Sequence, residues 1–128
     1  MSEARTVAVI GASSDRRKFG NKAVRCYVAA GLKVYPVNPS EQTVEGLTAY
    51  PDIASVPQPV EVVSFYVPPK VVASLLPAVA ETQPREIWFN PGTTSDDVAN
   101  LVLDLDLPAV YGCSIVMLGH SPAEFPDA

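Results

Sequence analysis

Five short apolar runs alternate along this chain with segments whose apolar residues return every three or four positions. The first run, Val7, Ala8, Val9 and Ile10, has no polar alternation, the pattern of a strand buried on both faces of a parallel sheet. Further runs predict strands over 33–37, 60–67, 86–90 and 109–111, that over 60–67 a strong central one. Asn38-Pro39-Ser40 stops the second, since proline cannot donate to a ladder and asparagine favours turns. Helical spacing of Ala23, Cys26, Tyr27 and Ala30 predicts a helix over 19–30, with Gly31 as its stop. Pro68-Pro69 presets the first turn of a second helix, over 70–80, which Pro77 should kink or break. Thr94 or Ser95 caps a third, with Asp96 and Asp97 in its first turn and Val98, Leu101, Val102 and Leu105 as its apolar face. The least regular stretch, 41–59, is broken by Gly46, Pro51, Pro57 and Pro59 into a short strand near Leu47 and a turn of helix at 52–55.

Strands alternating with helices predict an α/β fold: a single Rossmann-like three-layer domain, residues 1–128, with a mainly parallel sheet. In the expected order the first strand is central, the second and third lie on one side, and the later ones on the other. Ligands of such sheets bind at the switch point, at the carboxyl ends of the strands. The loop over 11–18, the loop over 66–70 and Asn38-Pro39 therefore converge on one crevice.

Charge singles out one of these loops. The chain carries −5 overall, yet its first forty residues hold Arg5, Arg16, Arg17, Lys18, Lys22, Arg25 and Lys33 against Glu3 and Asp15. A cationic face on an acidic protein favours a compact polyanion over long nucleic acid. At 128 residues and 48% hydrophobic content the chain can bury a core, and no apolar run reaches the ~18 residues that span a bilayer. No signal-peptide pattern opens it, and Cys26 and Cys113 lie far apart without a CxxC pattern. The expectation is a cytoplasmic protein without nucleic-acid or membrane partners.

The chemistry of the first turn agrees. Gly11 lets the backbone turn sharply and approach a ligand, Ser13 and Ser14 add hydroxyl donors, and Arg16, Arg17 and Lys18 bring charge to the N-terminus of the next helix. A nucleotide-like anion fits such a site. The dinucleotide fingerprint GxGxxG is present only in its first glycine, and Asn38 stands where an acidic ribose ligand is usual. Asparagine can still bond a ribose, so NAD stays open. The ATP-type GxxxxGK[ST] loop is absent.

VAVIGASSDRRKFGNKAV, GLKVYPVNP, EGLTAYPDIASVP, VSFYVPP and IWFNPGT, in this order, resemble the CoA-binding domain family, which includes small stand-alone proteins and the N-terminal domain of the succinyl-CoA synthetase alpha subunit. The resemblance implies a Rossmann-like domain that binds coenzyme A. It implies CoA phosphates at Gly11, Ala12, Ser13 and Ser14 with Lys18 approaching, the nucleotide bordered by Val37, Asn38 and Pro39, and an opposite wall of Tyr66, Val67 and Pro68. Asn90 and Gly92 match a W-x-Q-x-G segment of relatives, with asparagine replacing the usual glutamine.

No catalytic constellation is expected. The sole histidine, His120, has no obvious acidic partner nearby, and one histidine with two distant cysteines lacks metal-ligand spacing. Cys113 follows a strand end and is the sharper candidate, activated by His120, whereas Cys26 and Trp88 read as core. The leading expectation is a non-catalytic protein that binds, senses or delivers CoA or an acyl-CoA. The alternatives are a small NAD(P)-linked oxidoreductase, a Cys113-dependent CoA transferase, or a subunit of a CoA ligase. A homo-oligomer or a ligase partner subunit stays open.

Overall fold

A computed structural model describes residues 5–128; Glu3 and the start of the leader reading lie outside them. The chain runs β1 (Thr6–Ile10), α1 (Phe19–Ala29), β2 (Lys33–Val37), β3 (Thr43–Val44), β4 (Leu47–Thr48), β5 (Val62–Phe65), α2 (Pro69–Glu81), β6 (Glu86–Phe89), α3 (Asp96–Asp104), β7 (Ala109–Tyr111) and α4 (Ser114–Met117). Single 3-10 turns follow β4 (Ile53–Ser55) and α4 (Pro122–Glu124). Five strands form one parallel sheet in the order β2-β1-β5-β6-β7. β3 and β4 pair only with each other, as an antiparallel hairpin.

Two details of the expected order are corrected. β5, not β1, is the middle strand, and β1 lies one place from the edge. The strand near Leu47 does not extend the sheet, because β2 is its edge and only the bridge from Val37 to Tyr50 continues beyond it. A proline at position 36 suits such an edge. β5 is also shorter than 60–67, ending before Tyr66, whose N–H still reaches the Ile10 carbonyl (2.7 Å).

Successive β1 residues face opposite layers. Val7 and Val9 pack with Ala23, Val24 and Tyr27 of α1 and Ile115 of α4, while Ala8 and Ile10 join the cluster of Val72, Leu76 and Val79 of α2 and Val98 and Val102 of α3. That two-sided burial explains the unbroken apolar runs. Ser95 caps α3, its Oγ accepting from the Val98 N–H at 3.2 Å, with Asp96 and Asp97 in the first turn. No helix among the described residues is long and apolar enough to cross a membrane.

α2 runs unbroken through Pro77. Proline removes one hydrogen bond to the carbonyl four residues back, but Val72, Leu76 and Val79 are fully buried on the sheet and hold both halves in line. Pro77 itself is exposed. Pro77→Ala is therefore expected to stabilise the domain by about 1–2 kcal/mol, the helix gain less the extra freedom of the unfolded chain, as read from urea midpoints. A destabilised variant would show that the ring packs usefully where it stands.

Candidate functional site

Gly11 ends β1 with φ +96°, and its N–H bonds the Val37 carbonyl of β2 at 3.0 Å. A Cβ there would lie 2.5 Å from the Tyr66 carbonyl oxygen and 2.8 Å from Val67 Cγ1. The close approach that demands glycine is thus to the loop after β5, where the sequence reading expected a ligand. Gly20 supplies the second close contact: a Cβ on it would fall 2.1 Å from the Gly11 carbonyl oxygen. It lets α1 pack hard against the turn, the role of the third glycine in GxGxxG, from nine residues away instead of five. The sequence reading missed Gly20 because that spacing matches no fingerprint.

Two amides hold the turn from behind. Asn21 Nδ2 donates to the Ser13 carbonyl (2.8 Å) and Asn38 Nδ2 to the Ala12 carbonyl (2.8 Å). The Ser13 hydroxyl accepts from the Asp15 N–H (3.0 Å). Lys18, the N-cap of α1, makes no side-chain capping bond; the Asn21 N–H bonds the Lys18 carbonyl (3.1 Å), which leaves the Phe19 and Gly20 N–H groups at the cleft end without a capping side chain.

These groups border a cleft of about 570 Å³ between the loops after β1, β5 and β6. Of the expected site residues, Gly11, Ser13, Lys18, Asn38, Tyr66, Val67, Pro68 and Gly92 line it, joined by Phe19, Gly20, Pro91 and Thr93. Phe19 is 57% exposed at the mouth, a signal visible in sequence only as a polar-loop aromatic. Val37 and Pro39 line a second, apolar slot of about 180 Å³ that adjoins the cleft at Gly11, Asn38 and Val67 and continues past Ile10, Ile53, Val71 and Leu75. Both hollows sit where β1 and β5 diverge in connectivity, the switch point of the sheet.

Three expected residues do not line either hollow. Ala12 is fully buried, its contribution being the carbonyl that Asn38 holds. The Ser14 N–H is engaged by the Glu41 carboxylate. Asn90 turns inward: Nδ2 donates to Ser64 Oγ and the Phe65 carbonyl (both 2.9 Å), while Oδ1 accepts from the N–H (2.8 Å) and Oγ (3.1 Å) of Ser114. Ser114 Oγ in turn meets the Tyr66 hydroxyl at 2.9 Å, so Asn90 acts on the cleft through the wall residue Tyr66. Burial pushes the Tyr66 phenol above its ordinary pKa, which keeps that hydroxyl protonated.

The basic cluster is largely spoken for. Arg17 pairs with Asp15 (2.9 Å), whose carboxyl the arginine side chain and N–H hold down at about 2. Arg16 lies 3.3 Å from Glu45 and donates to the Ala128 carbonyl, Lys22 pairs with Asp127 (2.7 Å), and Arg25 donates to Asn21 Oδ1 and the Pro126 carbonyl. Of the cations expected at the turn, Lys18 alone lines the cleft, and its ammonium has no ion pair among the described residues.

The catalytic candidates fall elsewhere. His120 does have an acidic partner, Glu124, at 3.4 Å, brought near by the 3-10 turn that the sequence reading did not expect. Cys113 lines a separate shallow hollow with Trp88, Tyr111 and Met117. Cys26 is fully buried on α1, and burial pushes its thiol from 9.0 up to about 11, an unreactive state. Trp88 is buried, its indole N–H donating to Glu86 Oε1 (2.9 Å).

Residues 5–119 match the family described as CoA binding domain. The chain belongs to the CoA-binding domain family. Among curated proteins, this CoA-binding domain is similar to the Pyrococcus furiosus acetate–CoA ligase (ADP-forming) II subunit alpha, 40% identical over 73 residues, 56% of this chain and 16% of that one. It is also similar to the Archaeoglobus fulgidus acetate–CoA ligase (ADP-forming) II, 35% identical over 79 residues, 60% of this chain and 12% of that one. The chain thus spans less than a fifth of the length of these curated relatives. A conserved hypothetical protein of Pyrococcus furiosus has a solved structure with TM-score 0.83 and 32% identity, covering 88% of this chain and 98% of that one. A dinucleotide-forming acetyl-coenzyme A synthetase of Ca. Korarchaeum cryptofilum shares the fold at TM-score 0.71, with 82% of this chain covered and 25% of that one.

Proposed function

We propose that this CoA-binding domain holds coenzyme A or an acyl-CoA in the cleft at the switch point and acts by binding, sensing or delivering it. The observation that carries this reading is the start of α1 without a side-chain cap, which with Lys18 borders a cleft of about 570 Å³. On this reading the helix N–H groups and Lys18 take the pyrophosphate, and the apolar slot between Val37, Pro39, Ile53 and Val67 takes the adenine. Tyr66, Pro68, Pro91 and Thr93 then flank the pantetheine arm. Among the described residues the cleft is lined by no histidine, cysteine or carboxylate, and the adjoining slot by one carboxylate, Asp52.

Titration calorimetry with CoA, dephospho-CoA, NAD and ATP at two salt concentrations tests it. Saturable CoA binding that weakens with salt is expected, with no NAD binding. Because most neighbouring cations are paired within the protein, the preference for CoA over dephospho-CoA is expected to be modest. Lys18→Ala should weaken CoA about tenfold, the loss of one charge-assisted contact, without changing the melting temperature. NAD binding alone would replace this reading with the oxidoreductase one.

A second reading, a subunit working beside a separately encoded ligase partner, draws on the relative named as a subunit alpha. Absence of CoA binding by the isolated chain, with co-purification of such a partner, would favour it.

A further inference from the structure

Glu41 lies just beyond the Asn38-Pro39-Ser40 turn, which the Asn38 side chain closes by accepting the Ser40 N–H at 2.8 Å. That same asparagine lines the cleft and holds the Ala12 carbonyl. From there the Glu41 carboxylate reaches across to the β1–α1 turn and accepts the Ser14 N–H. Ser14 follows Ser13, which lines the cleft. Glu41 is held below the usual carboxylate range first by that N–H, then by the Ser14 hydroxyl, with the charge of Lys18 adding less. An anion belonging to the chain therefore occupies an N–H of the β1–α1 turn, one residue beyond the cleft lining, within reach of the charge of Lys18. It is only partly buried, so moving it away disturbs no core packing.

We propose that Glu41 is a specificity-determining residue of this cleft: a tethered internal anion that holds the Ser14 N–H and must be displaced by any phosphate that takes the turn. The inference deepens the CoA reading and rests on it for the identity of the natural ligand. A group tethered by a few residues competes at an effective concentration on the order of millimolar or above, whatever the solution contains. It lowers the affinity of every anion at the turn by one common factor. A lone phosphate or sulfate, with no other anchor, then falls out of the useful range. A nucleotide with a base in the apolar slot and an arm along the cleft does not, because those contacts are unaffected.

Two features separate a displaced occupant from a merely repulsive charge. Repulsion scales with ligand charge, so its removal would favour CoA more than phosphate, and salt would erase the difference. Occupancy gives both ligands the same gain. Glu41→Gln leaves an amide oxygen able to accept from Ser14, and Glu41→Ala leaves nothing, so the alanine variant should gain more.

The test compares the whole chain with Glu41→Gln and Glu41→Ala, titrated with inorganic phosphate and with CoA while the Ser14 amide resonance is followed by NMR. In the alanine variant both affinities are expected to rise by about the same factor, roughly tenfold for the loss of one charge-assisted competitor. The Ser14 amide should shift when Glu41 is removed and shift again as phosphate enters, at lower phosphate concentrations than the wild type needs. Affinities within twofold of the wild type, a loss of CoA affinity, or a Ser14 amide that phosphate never moves in the alanine variant would each overturn the proposal. If CoA binds none of the three proteins, the CoA reading fails, and the phosphate titration still decides the role of Glu41. Matching thermal melts guard against a folding effect.

Discussion

Gly20→Ala is expected to lower the stability of the domain by about 3 kcal/mol or more, the upper end of what overpacking costs, and the melting temperature by roughly 10 °C. The sign is diagnostic. Glycine inside a helix is ordinarily worse than alanine by about 1 kcal/mol, so propensity alone predicts the opposite. Here the added methyl would fall 2.1 Å from the Gly11 carbonyl oxygen and 3.0 Å from its carbon, which are backbone atoms pinned on both sides. The Gly11 N–H is tied to β2, and the next turn atoms are held by Asn21 and Asn38. The turn cannot yield, so α1 must move off the sheet and take Phe19 and Lys18 with it. CoA binding should fall with stability, measured by urea unfolding and calorimetry on the same preparation. A variant as stable as the wild type would mean that the helix slides freely, and that the glycine is not what sets the depth of the cleft.

Asn90→Ala is expected to cost about 3 kcal/mol, because truncation strands several buried groups at once. The Ser114 N–H loses its acceptor, and the Phe65 carbonyl and Ser64 hydroxyl lose a donor, all in a region where Asn90 is 2% exposed. With Ser114 released, the Tyr66 hydroxyl loses its fixed partner and the wall of the cleft loosens. CoA affinity should therefore drop about fivefold to tenfold even at temperatures where the variant is fully folded, one hydrogen bond of positioning being worth about 1 kcal/mol. Asn90→Asp is nearly isosteric but turns an acceptor toward the Phe65 carbonyl, and should lose as much. Unchanged CoA binding in a folded variant would make Asn90 a fold residue with no bearing on the cleft.

These residues show where sequence reading succeeds and where it stops. The strand over 33–37, the glycine that ends α1 and the serine cap of α3 were legible because each depends on a few neighbouring residues. Pro77 misled because its local cost is real, while three buried contacts on the far side of the helix outweigh it. Asn90 stood at the right place in the loop after β6, yet whether its amide points at a ligand or at Ser114 depends on a residue 24 positions later.

By itself, the sequence determined the alternation of buried strands with amphipathic helices, hence an α/β sheet with its loops at one end, and the small-residue turn suited to an anion. Periodicity and turn chemistry are properties of contiguous residues, so they need no tertiary context. Only the folded chain decided which charges remain available to a ligand. Asp127 and the Pro126 and Ala128 carbonyls return more than a hundred residues later to engage Lys22, Arg25 and Arg16, and Glu41 crosses from another loop to Ser14. Charge pairing depends on distance in space, which a count of lysines and arginines along the chain does not contain.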